Sequence, residues 1–322
     1  MIKIAVLDDY LHLAEDAADW ASLNTDVTFF YDTILDVDAL VARLGSFDAL
    51  VTTRERTRFP REILEQLPNL KFIAGTGRKQ DNVDLGFATE RGIPVCVTGG
   101  ASARGNSTAE LTWALVLAIT RHLVWEDKQV RQGQWHTRVS EGLGGKTLGI
   151  LGLGRIGSVV ARFGQVFEMD VIAWGPTLDE ERAEKQGVEY VSWEDLFVRS
   201  DVLSIHVPLT DLSRGWVTDK ELGLMKSTAF VINTSRGPIV EEQALLDALK
   251  SGAIGGAGLD VYDVEPLPLN HPFVGLDNVV LSPHLGYSTG TTMKQFYVAS
   301  VENLQAWING APINVLNDEV LK

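Results

Sequence analysis

The feature that most restricts this chain is Gly152-Leu153-Gly154-Arg155-Ile156-Gly157, because of what stands on either side of it. The apolar run Leu148–Leu151 before it reads as a strand, and a helical pattern follows through Ala161 and Phe163. Three glycines between a strand and a helix answer three steric demands. The first permits a tight turn, the second lets backbone approach a pyrophosphate, and the third lets the helix pack close to the strand. The helix N-terminus adds free N–H groups and partial positive charge. Gly152, Gly154, Arg155, Ile156 and Gly157 are therefore expected to hold a dinucleotide.

One part of that fingerprint is absent. The next strand, Val171–Trp174, is followed by Gly175-Pro176-Thr177, where an Asp or Glu would hydrogen-bond the ribose 2′-OH. Asp170 stands at the start of the strand, the wrong end to serve. Losing the carboxylate removes a repulsion against a 2′-phosphate, yet no Lys or Arg lies between Val171 and Glu181 to attract one. NAD and NADP both stay open, with NAD slightly favoured. Gly145-Lys146-Thr147 imitates the end of a phosphate-binding loop. The earlier glycine that loop needs falls on Ser140, and the triplet precedes its strand instead of following it.

Around the fingerprint, short apolar runs alternate with amphipathic stretches. Ile2–Leu7, Val27–Tyr31, Ala49–Thr52, Phe72–Ala74 and Val95–Val97 read as one set of strands, with helical patterns such as Asp36–Leu44 and Arg61–Leu67 between them. A long helical pattern over Ser107–Arg131 interrupts, and Thr147–Leu151, Val171–Trp174, Val202–Ile205, Phe230–Asn233 and Val279–Leu281 form a second set. A last helix, about Thr291–Ile308, closes the pattern. The prediction is an α/β chain of two parallel-sheet βαβ domains, as 322 residues allow.

A formal charge of −15 counts against nucleic acid and anionic membrane surfaces as partners. Cys96 is the single cysteine, so no intrachain disulfide forms, which fits a reducing, cytoplasmic setting. The first residues read as a strand instead of a cleavable leader, and with only a short tail after the last helix no further domain is expected. No clustered ligand spacing implies a metal.

Hydride chemistry on a 2-oxo acid needs a cation for the carboxylate, a proton donor, and a group that orients the donor. Arg236, in Asn233-Thr234-Ser235-Arg236-Gly237, follows the strand Phe230–Asn233 and has the two-pronged geometry suited to a carboxylate. Among the six histidines, His284, His206 and His271 compete as donor. His284 and His206 each stand just past a strand, and His206-Val207-Pro208 could also touch cofactor. Asp260, Asp263 and Glu265 are equal candidates for the orienting carboxylate.

At this point the chain resembles the D-isomer-specific 2-hydroxyacid dehydrogenase family, which includes phosphoglycerate dehydrogenase and glyoxylate/hydroxypyruvate reductase. The likeness rests on Val231–Val240, Gly256–Tyr262, Leu281–Gly286, the glycine fingerprint and His206–Thr210. It implies a Rossmann cofactor domain, residues 102–286, inserted into a flavodoxin-like substrate domain of residues 1–101 plus 287–322. It implies an NAD(P)-dependent enzyme interconverting a small 2-oxo acid and the D-2-hydroxy acid. Arg236 would bind substrate, His284 would be the acid/base and Glu265 its partner. Asp260 and Thr108 would lie at the nicotinamide, and Gly175, His206, Val207, Pro208, Thr234, Ser235 and Gly286 around the rest of the cofactor. Arg54, Thr76, Gly77 and Arg78 would meet the substrate, with backbone at Thr76 and Gly77 cradling its carboxylate. Family members are usually homodimers built through the cofactor domain. The loop Gly75–Asn82 departs from the common form by about two extra residues, a loop change that adds the cations Arg78 and Lys79. Two other readings of this architecture are a formate or phosphite dehydrogenase and a non-catalytic NAD(H)-sensing corepressor-like scaffold. Glu265 counts against the first, since the formate enzymes carry Gln there. The absence of basic tracts counts against the second.

Overall fold

Alternating apolar runs and helices give two separate parallel sheets. The computed structural model describes residues 1–99 and 106–322, in two compact units: Met1–Gly105 with Thr289–Lys322, and Asn106–Ser288. The expected boundary at 101/102 lies outside the described residues. The second unit runs to Ser288, whose N–H closes a turn onto the Leu285 carbonyl (2.8 Å).

In the first unit, β1 (Lys3–Val6), β2 (Asp26–Phe29), β3 (Ala49–Thr52), β4 (Phe72–Gly75) and β5 (Val95–Val97) are parallel, in the order β2-β1-β3-β4-β5. Every residue of β3 and β4 is buried, as expected of strands covered on both faces. Leu50, Ile73 and Val95 pack with Leu40, Leu44, Ile63 and Phe87 of the helices Val37–Leu44, Arg61–Leu64 and Leu85–Glu90. The strand period of two turns Phe72 the other way, where it stacks on Trp307 of the helix Gly290–Ile308 (4.9 Å between centroids). The order reverses between β1 and β3, so the chain just past them, Asp8 and Arg54, flanks a ligand-type crevice.

In the second unit, β6 (Thr147–Leu151), β7 (Asp170–Trp174), β8 (Glu189–Tyr190), β9 (Val202–Ile205), β10 (Phe230–Asn233), β11 (Gly256–Leu259) and β12 (Val279–Leu281) are ordered β12-β11-β10-β9-β6-β7-β8, all parallel. This is the doubly wound dinucleotide order with one strand added beyond its end. Leu148, Ile150 and Val171 face Trp113, Val116 and Val160 of the helices Ser107–Thr120 and Arg155–Val166. Leu151, Ile172 and Ile205 face Phe197, Leu222 and Leu249 of the helices Trp193–Arg199, Asp219–Leu224 and Glu242–Ser251. The strand order reverses between β6 and β9, which sets the glycine fingerprint beside His206.

Two details depart from the sequence reading. The helical pattern over 107–131 is two helices, Ser107–Thr120 and Leu123–Arg131, broken where His122 adopts a left-handed φ of +51°. The first lies on the core, while the second has Leu123 and Val124 exposed. The strands β8 and β11 were not foreseen. No helix among the described residues is long and apolar enough to cross a membrane.

Candidate active site

The turn after β6 is built as the fingerprint requires. Gly152 has φ +100°, and an added Cβ would meet Val207 at 2.7 Å and the His206 carbonyl carbon at 3.0 Å. A Cβ on Gly157 would lie 2.2 Å from the Gly152 carbonyl oxygen, so helix Arg155–Val166 sits as close to the turn as backbone allows. A Cβ on Gly154, by contrast, would meet nothing within 4 Å. The open face at the mouth of a twelve-residue helix is where a pyrophosphate fits, so the residues present suit a dinucleotide. The imitation at Gly145–Thr147 is no phosphate loop: Lys146 pairs with Glu141, and Thr147 N–H donates to Asp201 (2.8 Å) as β6 begins.

The three competing histidines separate on what their ring nitrogens do. His206 lies against Ser204 Oγ (2.8 Å), and burial pushes its pKa down to about 3, so it is neutral at any ordinary pH. His271 spends both nitrogens internally, on Glu242 (3.0 Å) and on the Phe273 N–H (3.3 Å). His284 directs Nδ1 at Glu265 Oε2 (2.7 Å). A carboxylate only accepts, so Nδ1 carries the proton and Nε2 is the atom left to exchange one. Burial pushes the Glu265 carboxyl up, but the bond and charge of His284, the Tyr262 N–H (3.0 Å) and the Arg236 charge outweigh it and hold it below the usual range.

His284 is a non-glycine residue at φ +54°, a conformation costing an L-residue about 1–2 kcal/mol. Asp260 holds it there. The fully buried carboxylate accepts from Leu285 N–H (2.7 Å), Gly286 N–H (2.9 Å) and the Ser282 hydroxyl. Burial keeps its pKa raised, and these donors pull against that rise. Thr108 Oγ donates to the Gly286 carbonyl (2.8 Å) from the opposite side. The polar atoms of Asp260 and Thr108 thus grip the histidine loop, a role the motifs did not suggest. Thr234 is likewise turned inward, its hydroxyl on Thr112 Oγ (2.9 Å).

Arg236 follows β10 in a bend fixed by Asn233, which accepts from Ser235 N–H (3.0 Å) and donates to the Arg236 carbonyl (3.0 Å). Ser235 Oγ ties the bend to the Val207 carbonyl. A Cβ on Gly237 would lie 2.2 Å from the Tyr262 carbonyl carbon, so this bend packs against the segment leading to Glu265. Asp263 plays no part in the dyad.

The first unit carries the remaining candidates. Arg54 has φ +55°, its N–H donates to Thr76 Oγ (2.8 Å), and its guanidinium lies where a Gly77 Cβ would be, 1.9 Å from Nη1. Of the expected peptide cradle, Thr76 N–H donates to the Thr52 carbonyl (2.9 Å) and Gly77 N–H to Thr98 Oγ (2.9 Å). Arg78 and Lys79 are exposed. Gln80, not singled out from the sequence, is buried, accepts from Thr52 Oγ (3.0 Å) and covers Gly75.

Known proteins similar to this chain are found by sequence and by structure. The family described as D-isomer specific 2-hydroxyacid dehydrogenase, NAD binding domain, matches residues 113–286. The glyoxylate reductase of Aeropyrum pernix is 43% identical over 295 residues, 88% of this chain and 87% of that protein. That of Thermococcus litoralis is 41% identical over 292 residues, again 88% and 87%. The crystal structure of phosphoglycerate oxidoreductase from Vibrio cholerae o395 superposes with a TM-score of 0.90 at 37% identity, covering 97% of this chain and 100% of that one.

Proposed function

The chain belongs to the D-isomer specific 2-hydroxyacid dehydrogenase family, and from that premise we propose which of its residues perform the reaction. It is a nicotinamide-dependent oxidoreductase that interconverts 2-oxo and 2-hydroxy acids. The second unit is the cofactor domain, and the first carries substrate contacts. When bound, the nicotinamide supplies or takes up the hydride. Gly152, Gly154 and Gly157 leave room for the pyrophosphate against the mouth of the helix. Arg236 pairs with the substrate carboxylate and polarises the carbonyl, because its fork matches a planar anion. His284 Nε2 gives its proton to the carbonyl oxygen as the alkoxide forms, and takes it back in the reverse direction. Glu265 stabilises the protonated ring and fixes its orientation. Asp260 and Thr108 keep the histidine loop in place. Arg54 and Arg78 are the first unit's candidates for substrate contact.

The observation that carries this reading is the 2.7 Å bond from His284 Nδ1 to Glu265, alongside two other histidines committed elsewhere. The substrate is a small 2-oxo acid, with glyoxylate and hydroxypyruvate first to be tried. Following nicotinamide absorbance with a panel of these, pyruvate and bulkier 2-oxo acids tests it. Silence across the panel in protein shown to bind cofactor would refute it.

The assembly is a homodimer joined through the second unit. Support comes from the apolar surface of its 123–139 segment, where Trp135 is 84% and Val139 86% exposed. Light scattering at low and high protein concentration checks that state. The single, buried Cys96 fits a reducing, cytoplasmic compartment.

A further inference from the structure

We propose that the turn after β7, together with Arg182, forms a subsite for a 2′-phosphate, so that the cofactor is NADPH in preference to NADH. This rests on reading the second unit as the cofactor domain. Gly152 N–H donates to the Trp174 carbonyl (2.8 Å), which sets the end of β7 beside the first fingerprint glycine, where the adenosine ribose is read. A carboxylate there accepts from the 2′-hydroxyl and repels a 2′-phosphate. This chain has Gly175.

Neither backbone nor packing demands that glycine. Its φ is not left-handed, and an added Cβ would find only ordinary contacts, Leu178 Cβ at 3.5 Å and Gly152 Cα at 3.7 Å. The position could hold a side chain and holds none, leaving space and no negative charge beside the ribose.

The cation that the sequence lacks between Val171 and Glu181 arrives from the next helix. Gly175–Leu178 is a turn closed by Leu178 N–H on the Gly175 carbonyl (3.1 Å), with Pro176 and Thr177 at its tip. Arg182, in the helix Glu180–Glu184, folds back so that Nη1 donates to the Thr177 carbonyl. The guanidinium is thereby fixed over the tip of the turn. It has no carboxylate partner among the described residues, in a chain with 43 acidic and 28 basic side chains. The nearby acids are otherwise engaged: Asp179 accepts from the Arg182 backbone N–H (2.8 Å), and Glu181 pairs with Lys185 (2.5 Å). Glu180 is exposed. One guanidinium nitrogen is spent on Thr177, and the remaining donors suit a dianionic phosphate. The Thr177 hydroxyl stands at the same tip.

Calorimetric titration of the full chain with adenosine 2′,5′-bisphosphate and with 5′-AMP tests this without turnover. The bisphosphate should bind roughly tenfold to a hundredfold more tightly, the span of a hydrogen bond to a charged group. Arg182→Gln should remove most of that advantage while 5′-AMP affinity stays within about twofold. Gly175→Asp should reverse the preference, and the kcat/KM ratio for NADPH over NADH should follow. Equal or tighter binding of 5′-AMP by the wild-type chain would overturn the subsite. So would an Arg182→Gln variant that weakens both ligands equally. If neither fragment nor NADH binds, the reading of the second unit fails, and the subsite fails with it.

Discussion

The strand ends of the two units are built to opposite plans. At the crest of the second unit, the groups proposed for the chemistry are half-buried and fixed. Asp260 grips the loop of His284, Glu265 grips its ring, and Asn233 shapes the bend under Arg236. At the crest of the first unit, the internal donors are equally committed, but to one another: Thr76 to Thr52, Gly77 to Thr98, Gln80 across Gly75. What faces outward is the pair Arg78 and Lys79. One crest thus holds the residues proposed for the reaction in place, while the other presents groups that can change without disturbing the fold. A family can keep one reaction and vary its substrate on such a division.

Substitutions should respect that division in graded fashion. Removing the proton donor is the severest. His284→Ala should lower kcat/KM by roughly 10²–10⁴-fold, with cofactor affinity nearly unchanged in a titration. Unchanged turnover would move the acid/base elsewhere. Glu265→Gln should cost about 10²-fold and alter the acid limb of the rate profile. Because its folded pKa lies below the ordinary 4.5, the carboxylate's contribution to stability is complete above that value and is lost progressively as pH falls from there through the lower, folded value. Thermal melts of wild type and variant from neutral to strongly acid pH should therefore converge only at the acid end.

Asp260→Asn probes the grip on the loop. The amide can accept on one side only, and its NH₂ would face an N–H. A fall in kcat of about tenfold is expected, with a lowered Tm and little change in substrate KM. A KM effect larger than the kcat effect would mean that Asp260 touches ligand instead of holding His284. The mildest change belongs to the first crest. Arg78→Ala or Lys79→Ala should shift substrate KM by no more than about fivefold, as befits exposed charges, and should leave kcat alone. A kcat effect as large as that of Asp260→Asn would erase the distinction between the two crests.

Much of the fold is visible in the sequence because central parallel strands are short, continuous apolar runs. β3, β5, β6, β9, β10 and β12 carry the residue bounds their patterns predict. β11 escapes because Gly256-Ala257-Gly258-Leu259 has little apolar content. Its glycines exist for closeness, a Gly258 Cβ standing only 3.0 Å from Leu115 Cβ. β8 is two exposed residues, set by its neighbour and not by its own pattern. For the site, the glycine turn and Arg236 follow from local spacing. The choice among His284, His206 and His271 does not, since it depends on bonds between segments far apart in sequence. Arg182 was invisible for a different reason: it lies outside the strand-end window and reaches the turn only by folding back.

The discontinuity of the first unit has a consequence for how the protein is made. Its core needs the helix Gly290–Ile308, whose Tyr297 is fully buried and whose Asn303 donates to the Val97 carbonyl (3.0 Å). The second unit is one uninterrupted stretch. During synthesis from the N-terminus, the earliest part of the chain must therefore wait, its sheet half covered, while the later part completes itself. The waiting sheet exposes apolar surface such as Phe72, which Trp307 covers only at the end. A chain stopped at Ser288 should show a protease-resistant second unit and a digestible first, marking the interval in which a nascent copy is open to chaperones or to aggregation.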